Sequence, residues 1–469
     1  MKVLLIFSHT PQQAFGKLYP LGLAYIATIL EQNNFEVEIF DMNLYADPYP
    51  ALIKRLEVDD YGCIGISLRN IDFNPRHILP YLPVKLTWKN TSVLSFQKTC
   101  KIIKSINPSS ILIAGGSGFS LFPEELMESG NIDIGVSQEG EEIMLDLVRA
   151  ISSNKKYDTI SGIYYKKDNT VIYTGPRGAL SSEYFNIVPK RDFKGLPIDL
   201  TIYNHGVQTN RGCPFKCTYC TYSLIQGLAV RRRNPSIVLE DIKNLRENYG
   251  VKNFTIADCI FAAHKGHAFD YLKLIAKENI DISWKTEIRC DTLDESLLEA
   301  MVEAGCNRMD FSPDSGSPTM LKKLGKQTSV EKIKRSLILL NKYPHIQCWY
   351  YFMMNTPGET FKTAFETIGL VIWLYFNGLF KHNGRALFSV ARIYPETQLY
   401  RNSIEMGNIK STDNLLSPVF HNPFPLNILN FFLLFIYNPI IFPDFAFFYF
   451  KGLLLSRGVK PKRWDPDIG

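Results

Sequence analysis

The sequence lacks several features that would place it in a common class of protein. It has no uninterrupted apolar run of the ~20 residues that a membrane-spanning helix needs, because polar residues and prolines interrupt the most apolar stretch, 425–455. It has no dense Lys and Arg run interleaved with aromatics, and its net charge of +6 is small for 469 residues. Its first residues lack the length and cleavage site of a signal peptide. We therefore expect a cytoplasmic protein with no nucleic-acid partner.

The first third of the chain alternates short apolar runs with helical patterns at 21–32 and around 97–106. This order predicts a parallel, Rossmann-like sheet with right-handed crossovers and ligands at the carboxyl ends of its strands. The first loop, Ser8–Gln12, has no G-x-G-x-x-G fingerprint, so nicotinamide and flavin cofactors lose support. The predicted strands are Val3–Phe7, Glu36–Asp41, Cys63–Ser67, Ile111–Gly116 and Ile132–Val136.

Cysteine is sparse, with nine in the chain, yet three fall in one short loop, Arg211–Cys220, as C-x3-C-x2-C. Three thiolates this close on a Gly- and Pro-bearing backbone can converge on one soft metal centre, most often an iron–sulfur cluster. A fourth iron would lack a protein ligand and stay open for a substrate or cofactor, as in open zinc sites. The alternatives are a zinc site completed by a distant side chain, or ordinary buried cysteines.

Six further strands with helices between them follow a polar connector, and they predict an incomplete (β/α)6 barrel. The first is expected near Val207–Asn210, where it delivers the cysteine loop, and the last at Arg385–Ala391. Barrel enzymes place their chemistry at the carboxyl ends of the strands. Those ends carry Asp258, Glu287, the segment Asp314–Ser317 and the segment Asn355–Thr360, in which Glu359 or Thr360 is expected to cap the following helix.

The cysteine spacing, with Tyr219 just before the third Cys, closely resembles the signature of radical S-adenosylmethionine (SAM) enzymes. The resemblance implies that Cys213, Cys217 and Cys220 hold a [4Fe–4S] cluster whose fourth iron is chelated by SAM, and that Tyr219 lies beside the adenine. Asp258 resembles the acid that helps to hold SAM, although the frequent Gly-Gly-Glu is missing. A further segment resembles the one that meets the ribose and carboxylate of SAM: Ser312, Asp314 and Ser315.

Upstream, Pro20–Tyr25, the Gly115-Gly116 loop and Glu139-Gly140-Glu141 together resemble the cobalamin-binding domain that is fused to some radical SAM domains. The family's D-x-H-x-x-G loop is absent, which implies that cobalt has no histidine ligand and that His9 is a plain loop residue. The predicted cobalamin contacts, at the ends of three strands, are Ser67, Leu68, Arg69, Asn70, Gly115, Gly116, Ser117, Glu139, Gly140 and Glu141.

Arg69 is a candidate catalytic residue at the lower face of the cobalt, because its loop leaves the middle of the predicted sheet. A guanidinium is always protonated and cannot donate a lone pair, so Arg69 would leave that face unligated and favour reduced, nucleophilic cobalt. The alternative is that Arg69 only pairs with Asp72. We divide the chain into a cobalamin domain at 1–154, a linker at 155–198, a radical SAM partial barrel at 199–398 and a hydrophobic helical subdomain at 399–469.

These resemblances imply a cobalamin-dependent radical SAM methyltransferase that acts on an unactivated or weakly nucleophilic carbon of a small molecule. Cyclisation or rearrangement with the same cofactors is the alternative among enzymes, and a non-catalytic corrinoid carrier is the alternative outside them. A methylthiotransferase would need three more cysteines in its first domain, where only Cys63 and Cys100 occur. We expect a monomer with an external electron donor such as flavodoxin or ferredoxin, and a C-terminal lid in preference to a membrane-surface element.

Overall fold

The computed structural model describes residues 1–10, 17–69, 91–191, 199–380, 384–433 and 437. In this part of the chain, two seven-stranded sheets form the centres of two α/β units. The first unit contains an open, mostly parallel sheet, and the second contains the predicted barrel strands as one parallel sheet. The predicted fold class, a Rossmann-like domain followed by a partial barrel, is confirmed.

The first sheet has the strand order β3-β1-β4-β5-β6-β7-β8. Its first five strands in this order pair in parallel, and their apolar residues are buried, as expected for a sheet covered by helices on both faces. The strands of this unit are β1 (Lys2–Phe7), β3 (Glu36–Asp41), β4 (Cys63–Ser67), β5 (Ile111–Gly115) and β6 (Ile134–Val136). Its helices are α1 (Leu21–Gln32), α2 (Pro48–Leu56), α3 (Thr91–Ile106), α4 (Ser117–Leu121), α5 (Pro123–Ser129) and α6 (Glu141–Ser152).

The segment predicted as a linker adds a hairpin to this sheet. Strands β7 (Ile163–Lys167) and β8 (Thr170–Tyr173) pair antiparallel, and β7 pairs antiparallel with β6. The turn lies at Asp168 and Asn169, which both have positive φ, as a two-residue type I′ hairpin requires. The first sheet is therefore extended by residues beyond 154. The short helix α7 (Ser182–Phe185) follows.

The second sheet has the order β16-β15-β14-β13-β12-β9-β2, in parallel throughout. Its first barrel strand is β9 (Tyr203–Val207), earlier than the predicted 207–210, because the chain turns at Gln208 into the loop that carries the cysteines. The strand β2 (Lys17–Leu18) comes from the N-terminal unit and joins the edge of the barrel beside β9. The other strands are β12 (Asn253–Ile256), β13 (Ser283–Ile288), β14 (Cys306–Asp314), β15 (Gln347–Met354) and β16 (Arg385–Val390).

Local signals account for several barrel helices. Helix α9 (Pro235–Tyr249) begins at an Asn234 cap followed by proline and ends at Gly250 in the left-handed conformation. Helix α14 (Phe361–Phe376) begins at Thr360, which accepts a hydrogen bond from the Thr363 amide and so confirms the predicted capping role. The remaining helices are α8 (Tyr222–Gln226), α10 (Lys265–Glu278), α11 (Glu295–Glu303), α12 (Pro318–Lys323), α13 (Val330–Ile338), α15 (Gln398–Glu405) and α16 (Leu426–Phe432).

The chain after β16 packs against both units. Ile393, Leu399 and Leu415 join the apolar core on one face of the first sheet, whereas Leu426 joins the core between the barrel strands and their helices. This shared packing holds the two units together. No helix within the described residues is long and apolar enough to cross a membrane. The prediction for the aromatic segment beyond 437 lies outside the described residues.

Candidate active site

The three cysteines of the motif lie half-buried in the loop that follows β9. The loop is anchored on both sides of Thr218, whose amide donates to the Leu324 carbonyl (3.1 Å) and whose carbonyl accepts from the Leu399 amide (2.8 Å). The Tyr219 phenol donates to Asp314 at the end of β14, and Lys326 forms an ion pair with the same carboxylate at 2.7 Å. These contacts fix the position of the cysteine loop relative to the barrel strands.

The positive charges near Cys217 favour the thiolate form of that side chain. Burial raises the pKa of Cys217 and raises that of Cys220 to about 11, while the positive charges of Lys326 and Arg289 oppose the rise at Cys217. A bound cation would favour the thiolates further. Among the described residues, no three His, Cys, Asp or Glu side chains converge on a point that one metal ion could occupy.

Two predicted SAM contacts besides Asp314 are also engaged by contacts within the protein. Asp258 accepts hydrogen bonds from the backbone amides of Thr209 (2.7 Å) and Asn210 (3.1 Å), which ties the end of β12 to the start of the cysteine loop. Burial still raises the pKa of Asp258 to about 6. Ser315 is fully buried, with its hydroxyl 2.8 Å from that of Thr367 on α14, whereas Ser312 stays partly accessible.

A cavity of about 480 Å³ lies between the first sheet and the barrel. One wall comes from the loops after β4, β5 and β6 of the first sheet. The other comes from the barrel and includes Thr221 and Tyr222, which directly follow Cys220, and Ile225 in the same helical turn region, α8. Eight of the ten predicted cobalamin contacts line it. They are Ser67, Arg69, Gly115, Gly116, Ser117, Glu139, Gly140 and Glu141.

The other two predicted cobalamin contacts, Leu68 and Asn70, are not among the described residues that line the cavity. Leu68 is buried in the core beneath the cavity, because its side chain points to the opposite side of the strand end from Ser67 and Arg69. Asn70 lies outside the described residues, as does Asp72, the alternative partner of Arg69. His9 is absent from the described residues that line the cavity.

Two glycines, Gly65 and Gly116, shape the floor of the cavity because neither has a side chain. Gly116 has φ +96°, and a Cβ there would lie 2.7 Å from the Leu68 carbonyl oxygen. At Gly65, a Cβ would lie 2.8 Å from Leu5. Glycine at both positions keeps the backbone close-packed beneath an open, smooth surface, which suits a large flat ligand.

Sequence reasoning missed the role of Arg211, two residues before Cys213. Its buried guanidinium forms ion pairs with Glu139 (3.0 Å) and Glu141 (2.7 Å) and lies over the rings of Tyr25 and Phe185. These pairs raise the pKa of Arg211. The two acids predicted to contact cobalamin thus also hold the strand that leads into the cysteine loop. The sequence contained Arg211 but no signal that links it to residues some seventy positions away.

Comparison with known proteins identifies both units. The B12 binding domain matches residues 12–148, and the Radical SAM superfamily matches residues 207–371, which contain the three cysteines. The chain belongs to the cobalamin-binding radical SAM enzymes. The two family regions meet at the cavity and at the ion pairs that Arg211 forms with Glu139 and Glu141. The predicted enzyme class is confirmed.

Relatives of this radical SAM enzyme include methyltransferases and a cyclase. An uncharacterized methyltransferase of Pyrococcus horikoshii is 28% identical over 86% of this chain and 83% of its own length. Cytidylyl-2-hydroxyethylphosphonate methyltransferase of Streptomyces wedmorensis is 24% identical over 66% of this chain and 64% of its own length. An anaerobic magnesium-protoporphyrin IX monomethyl ester cyclase of Rubrivivax gelatinosus is 25% identical over 75% of this chain and 61% of its own length. This chain therefore spans just under two thirds of the last two relatives.

Two solved structures share the fold of this radical SAM enzyme. The methyltransferase TsrM of Kitasatospora setae, solved with cobalamin and a [4Fe–4S] cluster, superposes with a TM-score of 0.75 at 20% identity, over 86% of this chain and 75% of that one. The cobalamin-dependent enzyme OxsB, with aqua-cobalamin and SAM bound, gives 0.73 at 17% identity, over 99% and 69%. The glycine floor and the cysteine loop in this chain fit cobalamin and an iron–sulfur cluster, respectively.

Five of the six other cysteines are buried, as structural thiols usually are, and Cys259 is half-buried. Cys63 and Cys100 are buried in separate cores on opposite faces of the first sheet, so these two do not form part of a second cluster. Cys290, Cys306 and Cys348 are buried in the barrel, where burial raises the pKa of each thiol.

Proposed function

We propose that the protein is a cobalamin-dependent radical SAM methyltransferase that methylates an unactivated or weakly nucleophilic carbon of a small molecule. The observation that carries this proposal is the shared wall of the cavity, since Thr221 and Tyr222, which line it, directly follow the cluster ligand Cys220. Radical generation and a methyl donor therefore belong to adjoining sites. The bound cofactors would supply a 5′-deoxyadenosyl radical and a transferable methyl group.

The residues of the chain position these groups. Cys213, Cys217 and Cys220 would hold the cluster, with Tyr219 and the Asp314–Lys326 pair fixing the loop and Ser312 accessible towards SAM. Arg69 lines the cavity and is exposed to it. Because arginine stays protonated, it would occupy one face of the cobalt without ligating it.

Three further features belong to this proposal. The cluster requires an external one-electron donor such as flavodoxin or ferredoxin, and its sensitivity to oxygen favours the cytoplasm. The enzyme acts as a monomer, because the described residues of one chain build both the cavity and the cysteine loop. The cyclase relatives favour cyclisation or rearrangement as a second candidate function.

Anaerobic reconstitution with iron, sulfide and cobalamin tests the proposal without knowledge of the substrate. A methyltransferase should convert SAM and cob(I)alamin to methylcobalamin and S-adenosylhomocysteine, seen by absorption and chromatography. An enzyme that reductively cleaves SAM but never methylates cob(I)alamin would support the cyclase or rearrangement alternative. A protein that binds corrinoid and performs neither reaction would be a carrier.

A further inference from the structure

The inner face of the half-barrel is open and carries charged side chains. Along β13 to β16, the residues that face outward are buried in the core under the helices, including Trp284, Met309, Tyr350 and Phe388. The alternate residues face inward, and several stay accessible. These inward positions include Lys285, Glu287, Arg308, Ser312, Tyr351 and Ser389.

Two cations are neighbours on this inner face. Lys285 of β13 is in register with Arg308 of β14, one row below Glu287 and Asp310. Arg308 already has partners, since its guanidinium donates to both carboxylate oxygens of Asp310 (2.8 and 2.9 Å) and lies 3.6 Å from the centre of the Trp349 ring. Lys285 forms no hydrogen bond or ion pair with any described residue.

This arrangement leaves the Lys285 ammonium without a hydrogen-bond partner among the described residues, although the charges of Asp310 and Glu287 act on it. Burial and the charge of Arg308 lower the pKa of Lys285, and the two carboxylates oppose this shift. A partly buried ammonium group that donates no hydrogen bond is stabilised when an anion binds and accepts one. The site also lies within reach of the cofactors, because Ser312 and Asp314 follow Asp310 on the same strand.

We propose that Lys285 and Arg308 bind an oxyanion group of the substrate, a carboxylate or a phosphate-type group, within the barrel. This deepens and rests on the proposed function, since it assigns the methyltransferase an anionic small molecule as substrate. The anion is anchored in the lower part of the barrel, and the carbon to be methylated extends from it towards the strand ends that carry the cofactors. A purely apolar lipid substrate would leave the Lys285 ammonium without a hydrogen-bond partner.

Anion binding is tested on the reconstituted holoenzyme with benzoate and methylphosphonate as probes and benzamide as the neutral control. Acylation of Lys285, followed by peptide mass spectrometry, should slow about tenfold when a probe reaches ten times its Kd. Lys273, exposed on α10, is the control lysine and should react at an unchanged rate. Protection by benzoate alone would identify a carboxylate site, and protection by methylphosphonate alone a phosphate-type site. Equal rates at Lys285 with and without both anions would overturn the proposal.

Thermal unfolding provides a second measurement. The effective probe should raise the Tm of the wild-type holoenzyme and of Lys285→Arg, but leave that of Lys285→Met unchanged, with Lys273→Met as the matched control. An equal rise in Lys285→Met would also overturn the anion site. Neither readout depends on methyl transfer, so a failed anion site with intact methylation of cob(I)alamin leaves the proposed function standing. Anion binding without that methylation would reject the function but retain the site.

Discussion

The Arg211 guanidinium lies 2.7 Å from the Glu141 carboxylate, and both side chains are at least 94% buried. Glu141 opens α6 of the cobalamin-binding unit, whereas Arg211 lies in the strand β10 (Asn210–Arg211), which pairs with β11 (Arg231–Arg232) and leads into the cysteine loop. The ion pair thus connects the two cofactor sites directly. Glu139, which also binds Arg231, strengthens the connection.

We expect Arg211→Met to lower the free energy of unfolding by about 3–5 kcal/mol, because it leaves buried carboxylates without their cation. Urea denaturation of the apoprotein measures this loss. Cobalamin affinity should fall as well, since Glu139 and Glu141 line the cavity. Absorption titration measures that second effect.

The matched control for Arg211 is a solvent-exposed ion pair, Lys342–Glu295. Lys342→Gln should leave the free energy of unfolding nearly unchanged, because water and salt screen exposed pairs. If Arg211→Met cost no more than this control, the buried clamp would not hold the two units together.

Replacing Cys213, Cys217 and Cys220 together by Ala should abolish the broad iron–sulfur absorption and the cleavage of SAM. Corrinoid binding should persist, because none of the three cysteines lines the cavity. Cys259 is the matched control, since it is a half-buried thiol near the same loop, 2.8 Å from Gln226. Cys259→Ala should keep the cluster. Survival of SAM cleavage in the triple variant would reject the radical SAM assignment of these ligands.

Gly116→Ala should destabilise the apoprotein by more than the ~1–2 kcal/mol that a left-handed backbone costs an L-residue. The added Cβ would lie 2.7 Å from the Leu68 carbonyl oxygen, so the loop after β5 must also move. Cobalamin binding should weaken with it, because Gly116 lines the cavity. Thermal unfolding and absorption titration measure the two effects.

Gly175→Ala separates backbone strain from steric contact. Gly175 has a similar φ of +86°, but a Cβ there meets no atom within 4 Å. This variant should show only the cost of the left-handed backbone and should bind cobalamin normally. Equal losses of stability in the two variants would mean that the contact with Leu68 is relieved at no cost.

Stability should depend on pH through Glu359, whose pKa burial raises to about 7. A raised carboxyl pKa stabilises the fold fully below the unfolded value of 4.5, and this contribution is lost as pH rises through about 7. Wild-type protein should therefore lose up to about 3 kcal/mol relative to Glu359→Gln between these limits. Urea denaturation at a series of pH values measures the difference. Glu366→Gln, on the helix that Glu359 precedes, is the control, and a Glu359→Gln profile parallel to wild type would contradict the prediction.

Local sequence signals were sufficient for most of the fold. Continuous apolar runs such as Val3–Phe7 and Cys63–Ser67 are typical of buried parallel strands, and the observed strands lie there. The predicted cap at Thr360 depends on residues within one turn and is confirmed. The hairpin of β7 and β8 lies within the predicted linker, and its pairing with β6 depends on residues that are distant in the chain.

The sequence by itself predicted the cluster ligands, since C-x3-C-x2-C places three thiols in one loop whatever surrounds them. It also indicated the cobalamin loops, because glycines that permit close backbone approach are recognisable one by one. Only the tertiary structure decided that Glu139 and Glu141 clamp Arg211, that Asp258 supports the cysteine loop, and that Lys285 lies beside Arg308. Each of these contacts joins residues far apart in the chain, so its energy depends on distances and burial that folding alone creates.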